Sequence, residues 1–197
     1  MTKWSYDGFL LDYEPIEDSI KVRTMPDGSF EVRYIVLDGD PEDPFGRGGW
    51  DGIGRFVHWR GYGAEQLAEY KTAGTDQDAV AIDKYEHGGI AYSVAGEGTR
   101  CRWDTSNIWA YWVPDKETLA SWAEYAAALK PDAVITARAQ WMVKAARSAC
   151  ALFNDYVNGN VYGVVCEYFN ADRSAADIPA DNCWGYYGIN DAERNIM

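Results

Sequence analysis

The stretch that most constrains this chain is a helical pattern that runs directly into a strand. From Asp132 to Val157 the apolar residues Val134, Ile135, Trp141, Met142, Ala145, Ala149, Leu152, Phe153 and Tyr156 recur at steps of three and four, as on one face of an α-helix. Pro131 marks where the preceding helix must end, and Asp132 is placed to open the new one. Asn158-Gly159 supplies the stop, because a helix commonly closes on a residue with a left-handed backbone. Val161 to Phe169 then forms the least polar strand-like run of the chain. A helix with one apolar stripe has to bury it against another layer. The expectation is therefore a single α+β domain, residues 1–197. In it an antiparallel or mixed sheet packs against this long helix of the C-terminal half, with Val161 to Phe169 near the sheet's centre.

The remaining segments fit that class. Pro26-Asp27-Gly28 is a turn signal between strand-like runs at 19–25 and 29–37. A loop rich in Gly, Pro and Asp follows, from Asp38 to Gly49. A short strand is expected near Arg55 to Trp59 and a helix from Ala64 to Lys71. Ile90 to Val94 and Ile108 to Val113 read as strands, the second bulky on both faces, as in a central strand. Asp115, after Pro114, is positioned to cap a helix reaching about Leu129. Cys183 to Tyr187 reads as a strand near Val161 to Phe169, and a short helix is expected from Asn190.

Charge narrows the range of partners. Asp and Glu number 31 against 18 Lys and Arg, a formal net charge of −13. Nucleic-acid backbones are held by clustered cations, and no basic block occurs here, so direct nucleic-acid binding is not expected. No apolar run reaches the roughly 18 residues that cross a bilayer, and Met1-Thr2-Lys3-Trp4 does not begin a signal peptide. A cytoplasmic setting with free thiols is the expectation for Cys101, Cys150, Cys166 and Cys183. These cysteines form no CxxC pair, and no Walker-type or dinucleotide-type glycine pattern is present, so neither a metal nor a cofactor is expected. Cys150 and Cys166 fit best as small core residues. Nine Trp and 14 Tyr are many for 197 residues. Such rings suit a core, but they also suit interfaces and ligand pockets.

Several local motifs combine an aromatic ring with glycine and an acid. They are Gly49-Trp50-Asp51-Gly52-Ile53-Gly54 followed by Trp59-Arg60 and Tyr62, then Tyr85-Glu86-His87-Gly88-Gly89, then Cys101-Arg102-Trp103-Asp104-Thr105-Ser106. Val161-Tyr162-Gly163 and Asp181-Asn182-Cys183-Trp184-Gly185-Tyr186-Tyr187-Gly188 complete the set. In order and spacing, from about residue 40 to 190, it resembles an uncharacterised family of small proteins carried by phages, plasmids and conjugative elements. The family pattern places a His after the aromatic matching Trp59; here Arg60 stands there and His58 precedes. The resemblance implies a genetic setting and no mechanism.

Three functions follow as expectations. The first is an accessory protein of a phage or mobile element that counters a host defence system of the CRISPR or restriction kind. It would do so by binding and blocking a host protein, in particular a nucleic-acid-handling one. The second is a binding protein that sequesters a nucleotide-like small molecule. The third is a small hydrolase using His87 with Asp104 or Cys183, since a carboxylate can orient an imidazole and a thiolate can attack. Enzymatic activity is the less favoured of these. The binding surface is expected at Trp50, Asp51, Tyr85, His87, Trp103, Asp104, Trp184 and Tyr186. Ordinary turns and caps could account for the same residues.

Overall fold

A computed structural model describes residues 3–46, 49–57 and 79–196. Its strands in chain order are β1 (Trp4–Tyr6), β2 (Phe9–Leu11), β3 (Lys21–Thr24), β4 (Phe30–Leu37), β5 (Arg55–Val57), β6 (Val80–Glu86), β7 (Ile90–Val94), β8 (Thr105–Val113), β9 (Val161–Phe169) and β10 (Asp181–Tyr187). The helices are α1 (Lys116–Ala127), α2 (Val134–Val157) and α3 (Ile189–Asn195). The architecture is α+β, the strand pairing among the described residues is antiparallel throughout, and the long helix lies in the C-terminal half. Contacts divide the chain into two units, Met1–Glu42 with Gly159–Met197, and Asp43–Asn158. The helix Ala64 to Lys71, the end of the strand expected to reach Trp59, and His58, Trp59, Arg60 and Tyr62 lie outside the described residues.

In the first unit the sheet order is β10-β9-β4-β3, so the apolar strand Val161–Phe169 is interior, as its composition predicts. The Pro26-Asp27-Gly28 turn joins β3 to β4. Gly28 sits at φ +86°, and the Asp27 carboxylate accepts from the Ser29 amide at 3.0 Å and its hydroxyl at 2.6 Å. One sheet face buries Val32, Tyr34, Val36, Val165 and Phe169 against Phe9 and Leu11 of the β1–β2 hairpin. The other buries Ile35 and Val164 against Ala192 and Ile196. Beneath the hairpin the Tyr34 hydroxyl donates to Glu167, whose same oxygen accepts the Asp12 amide at 2.9 Å. Burial, then the Glu167 carboxylate, pushes the Tyr34 phenol far above its usual range. A buried polar group costs least when fully bonded, and this pair ties the end of β2 to the sheet.

In the second unit the order is β5-β8-β6-β7, with β8 central as its two-sided bulk suggests. Val80, Ile82, Tyr92, Val94 and Trp112 of the strands meet Met142, Ala146, Ala149 and Cys150 of α2, and Trp122 of α1. The buried spacing on α2 confirms the helical face, but Ile135 is 84% exposed while Val134 and Ala137 turn to the core. The helix and the strand that follows it thus serve different sheets, one in each unit, not one sheet as expected. The chain leaves α2 through Asn158 and Gly159, the latter at φ +73°. Asp132 does not cap α2 either: Pro131–Ala133 forms a 3₁₀ turn, and the cap position is Ala133 without a side-chain bond.

Strand β6 escapes the sequence pattern because Asp83 occupies a buried position in it. Its carboxylate accepts the Ile108 amide at 2.8 Å and the Gly96 amide at 3.0 Å, where the β6–β8 register shifts and Ile108 takes φ +50°. The outer edge of β7 is closed by α2. The Asn154 amide bonds Tyr92 N and O at 2.7 and 3.0 Å, and the Asn158 amide bonds Ile90 N and O at 3.1 and 2.7 Å. Two asparagines one turn apart therefore do the work of a neighbouring strand. Among the described residues, no helix is long and apolar enough to cross a membrane.

Candidate functional site

The two ends of β8 carry the motif loops of the second unit. Pairing places Arg55 opposite Val113 at one end and Tyr85 opposite Thr105 at the other, roughly 25 Å apart at strand rise.

At the Val113 end, Asp115 caps α1 as expected and does more. Its Oδ1 accepts the Thr118 amide at 2.8 Å and hydroxyl at 2.6 Å. Its Oδ2 accepts the amides of Gly52 at 2.9 Å and Gly54 at 3.1 Å, with Arg55 Nη1 at 3.3 Å. Burial works to raise its pKa and is outweighed by these hydrogen bonds, which hold it below the usual carboxylate range. Arg55 also binds the Trp50 carbonyl at 2.6 Å and Asp51 at 3.2 Å. Trp112 Nε1 donates to the Ile53 carbonyl at 2.8 Å. Gly54 sits at φ +74°, and a Cβ there would stand 2.5 Å from the Trp112 ring, so the motif needs glycine at this position. Asp51, Asp115 and Glu117 could bring three oxygens together. Asp115 already accepts from five donors, which uses the lone pairs a cation would need.

At the Thr105 end, the ladder extends one step as the Glu86 amide bonds the Asp104 carbonyl at 2.9 Å. The β6–β7 turn closes with the His87 amide on the Gly89 carbonyl at 3.1 Å, Gly88 taking φ +71°. Loop 99–105 is braced by Thr105, whose amide bonds the Cys101 carbonyl at 3.0 Å while its hydroxyl accepts the Cys101 amide at 2.8 Å. Between these supports stands an exposed group of side chains. His87 Nδ1 lies 3.3 Å from Asp104 Oδ2, with the imidazole 73% exposed. The His87 ring is 6.5 Å from that of Tyr85. Trp103 is 83% exposed, with the Arg102 guanidinium 5.2 Å from its centroid.

Trp184 and Tyr186 belong to the first unit. Trp184 packs edge-on to Tyr13 at 5.5 Å and covers Gly163, where a Cβ would meet its ring at 2.3 Å. A bulge between them, with Gly185 at φ +82°, turns Tyr186 to the opposite sheet face. There its hydroxyl, bonded to Cys183 and partly desolvated, is pushed up to about 12. Cys150 and Cys166 are buried and all four thiols are free.

Of the eight residues singled out in the sequence, Tyr85, His87, Trp103 and Asp104 come together. Trp50 and Asp51 sit at the other end of β8, and Trp184 and Tyr186 lie in the other unit with Cys183. Arg102, which covers the Trp103 ring, was overlooked, although its place beside Trp103 was a legible signal. Comparison with family models, with curated proteins and with solved structures finds no match.

Proposed function

We propose that this protein is an accessory protein of a phage or other mobile element that counters a host defence system. It works in the host cytoplasm by binding and blocking a host protein, and it makes that contact through the Trp103 corner. The observation that carries the reading is Trp103 itself, 83% exposed on a loop whose backbone is braced by Thr105 and the β6–β8 ladder. A large exposed ring on a rigid support loses little conformational entropy on binding, and Trp and Arg are the residue types that most often anchor interfaces. Arg102, His87 and Asp104 add polar contacts around it, and the net charge of −13 suits a basic groove on a nucleic-acid-handling target.

The test is capture from host lysate by the tagged protein and by its Trp103→Ala variant, with melting temperature measured on both. A stoichiometric partner held by the parent and lost by a folded W103A protein supports the contact. A partner held equally by both removes Trp103 from it. Hydrolysis is the second reading, favoured by the 3.3 Å approach of His87 to Asp104. Turnover of an ester or phosphoester substrate that His87→Ala abolishes would put it first.

A further inference from the structure

Among the described residues, the sheet of the first unit ends on β10 at one edge and on β3 at the other. All four residues of strand β3 are exposed. Its backbone polarity follows from the ladder. The Met25 amide bonds the Ser29 carbonyl at 2.8 Å, so in an antiparallel pair Arg23 faces Glu31, and Lys21 faces Arg33, with both backbone groups turned toward β4. The amide and carbonyl of Val22 and Thr24 therefore point outward, into solvent.

The side chains along this edge have a definite chemistry. Lys21 and Arg23 project from one face, and among the described residues neither has an ion-pair partner. Beside them a hollow of about 250 Å³ is lined by Lys21, Arg23, Glu31, Arg33 and Ile196. Within it Glu31 is bound by Arg33 at 2.9 Å, which leaves Lys21 and Arg23 as its unbalanced charges. A second hollow of about 370 Å³, sharing Lys21 and Ile196, is floored by Ile16, Ile35 and Ile189 and is also lined by Glu17, Asp18 and Glu193, so the cationic stretch is confined to the Lys21–Arg23 side of the edge. On the other face Val22 is 43% exposed. The edge of β7 in the second unit, by contrast, is sealed by Asn154 and Asn158.

We propose that the β3 edge accepts an extended acidic segment of a partner protein as an additional strand. The segment bonds the outward amides and carbonyls of Val22 and Thr24. Alternate acidic residues face Lys21 and Arg23, and the intervening apolar residues lie on the Val22 side. The net charge of −13 repels an acidic peptide at a distance. Preference for acid must therefore arise at contact, from these two cations. This surface lies in a different unit from Trp103, so either can fail alone.

The experiment uses the ¹⁵N-labelled full chain with two end-capped peptides, one alternating Glu and Val and one alternating Lys and Val. The acidic peptide is expected to slow hydrogen exchange of the Val22 and Thr24 amides by about tenfold at saturation, and the basic one to leave them unchanged. Lys21→Glu with Arg23→Glu should weaken the acidic peptide by about tenfold and admit the basic one. Val22→Pro removes an outward donor without touching the β4 ladder and should weaken binding in a protein of unchanged melting temperature. Unchanged exchange at Val22 and Thr24, or equal binding to the charge-reversed protein, overturns the proposal. In that case Lys21 and Arg23 are guards that keep an edge strand from pairing.

Discussion

The two ends of β8 carry loops of one composition, an aromatic beside an acid within a few residues of glycine, yet they do opposite things. At the Val113 end both carboxylate oxygens of Asp115 are occupied, Gly54 is pressed against Trp112, and Arg55 gathers the carbonyls of the Trp50 loop. At the Thr105 end the backbone is equally well braced, but the side chains it presents are left in solvent. Composition therefore does not separate a fold-holding loop from a contact loop. What separates them is whether the acid faces backbone amides or an exposed ring.

Substitutions should split the two ends by stability. The largest effect is expected from Gly54→Ala, which places a Cβ at φ +74° and 2.6 Å from the Val113 carbonyl. Positive-φ strain plus the clash should cost about 3 kcal/mol or more, read as a fall in denaturant midpoint. Asp115→Ala comes next, at about 2–3 kcal/mol, because it removes a helix cap and strands the Gly52 and Gly54 amides. If either variant unfolds at the parent's midpoint, the Val113 end is not the structural one.

Acid sharpens the same contrast. The Asp115 carboxyl is held below its ordinary value in the folded state. Its contribution is therefore present above the unfolded-state pKa of about 4 and is lost as pH falls through the lower, folded value. The gap in melting temperature between the parent and Asp115→Asn should narrow from pH 6 toward pH 3. A gap that stays constant would mean that the charge of Asp115 contributes nothing.

The sequence made the Asp115 cap visible because its partner, Thr118, is three residues on. The bonds from the same carboxylate to Gly52 and Gly54 span some 60 residues, and no local pattern could show them. For the same reason β4, β8, β9 and α2 were legible from apolar spacing, whereas β6 was hidden by buried Asp83, whose partners lie further along the chain, Gly96 in the loop after β7 and Ile108 at the register shift within β8. The division into two units was also out of reach, because α2 and β9 adjoin in sequence but pack on different sheets. Of the candidate site, the His87 and Trp103 loops were found as separate motifs. What joined them was the β6–β8 register.

Trp103→Ala should change stability by no more than about 0.5 kcal/mol, since the ring buries little in the free protein. Any larger loss of partner binding is then a property of the contact and not of the fold. A drop in melting temperature comparable with that of Asp115→Ala would erase the contrast between the two ends.

The smallest effect is expected for the His87–Asp104 pair, and it tests the contrast most finely. The imidazole is 73% exposed and the carboxylate 29%, so solvent screens their interaction at 3.3 Å. A double-mutant cycle on His87→Ala and Asp104→Ala should give a coupling energy below about 0.5 kcal/mol in unfolding experiments. The Asp104 carbonyl, which continues the ladder to Glu86, is retained in both variants, so the cycle isolates the side chains. A coupling above about 1.5 kcal/mol would mean that the pair holds the two loops together, as Asp115 holds Gly52 and Gly54. The Thr105 end would then be a second structural clasp, and Trp103 a ring carried on it rather than the reason for it.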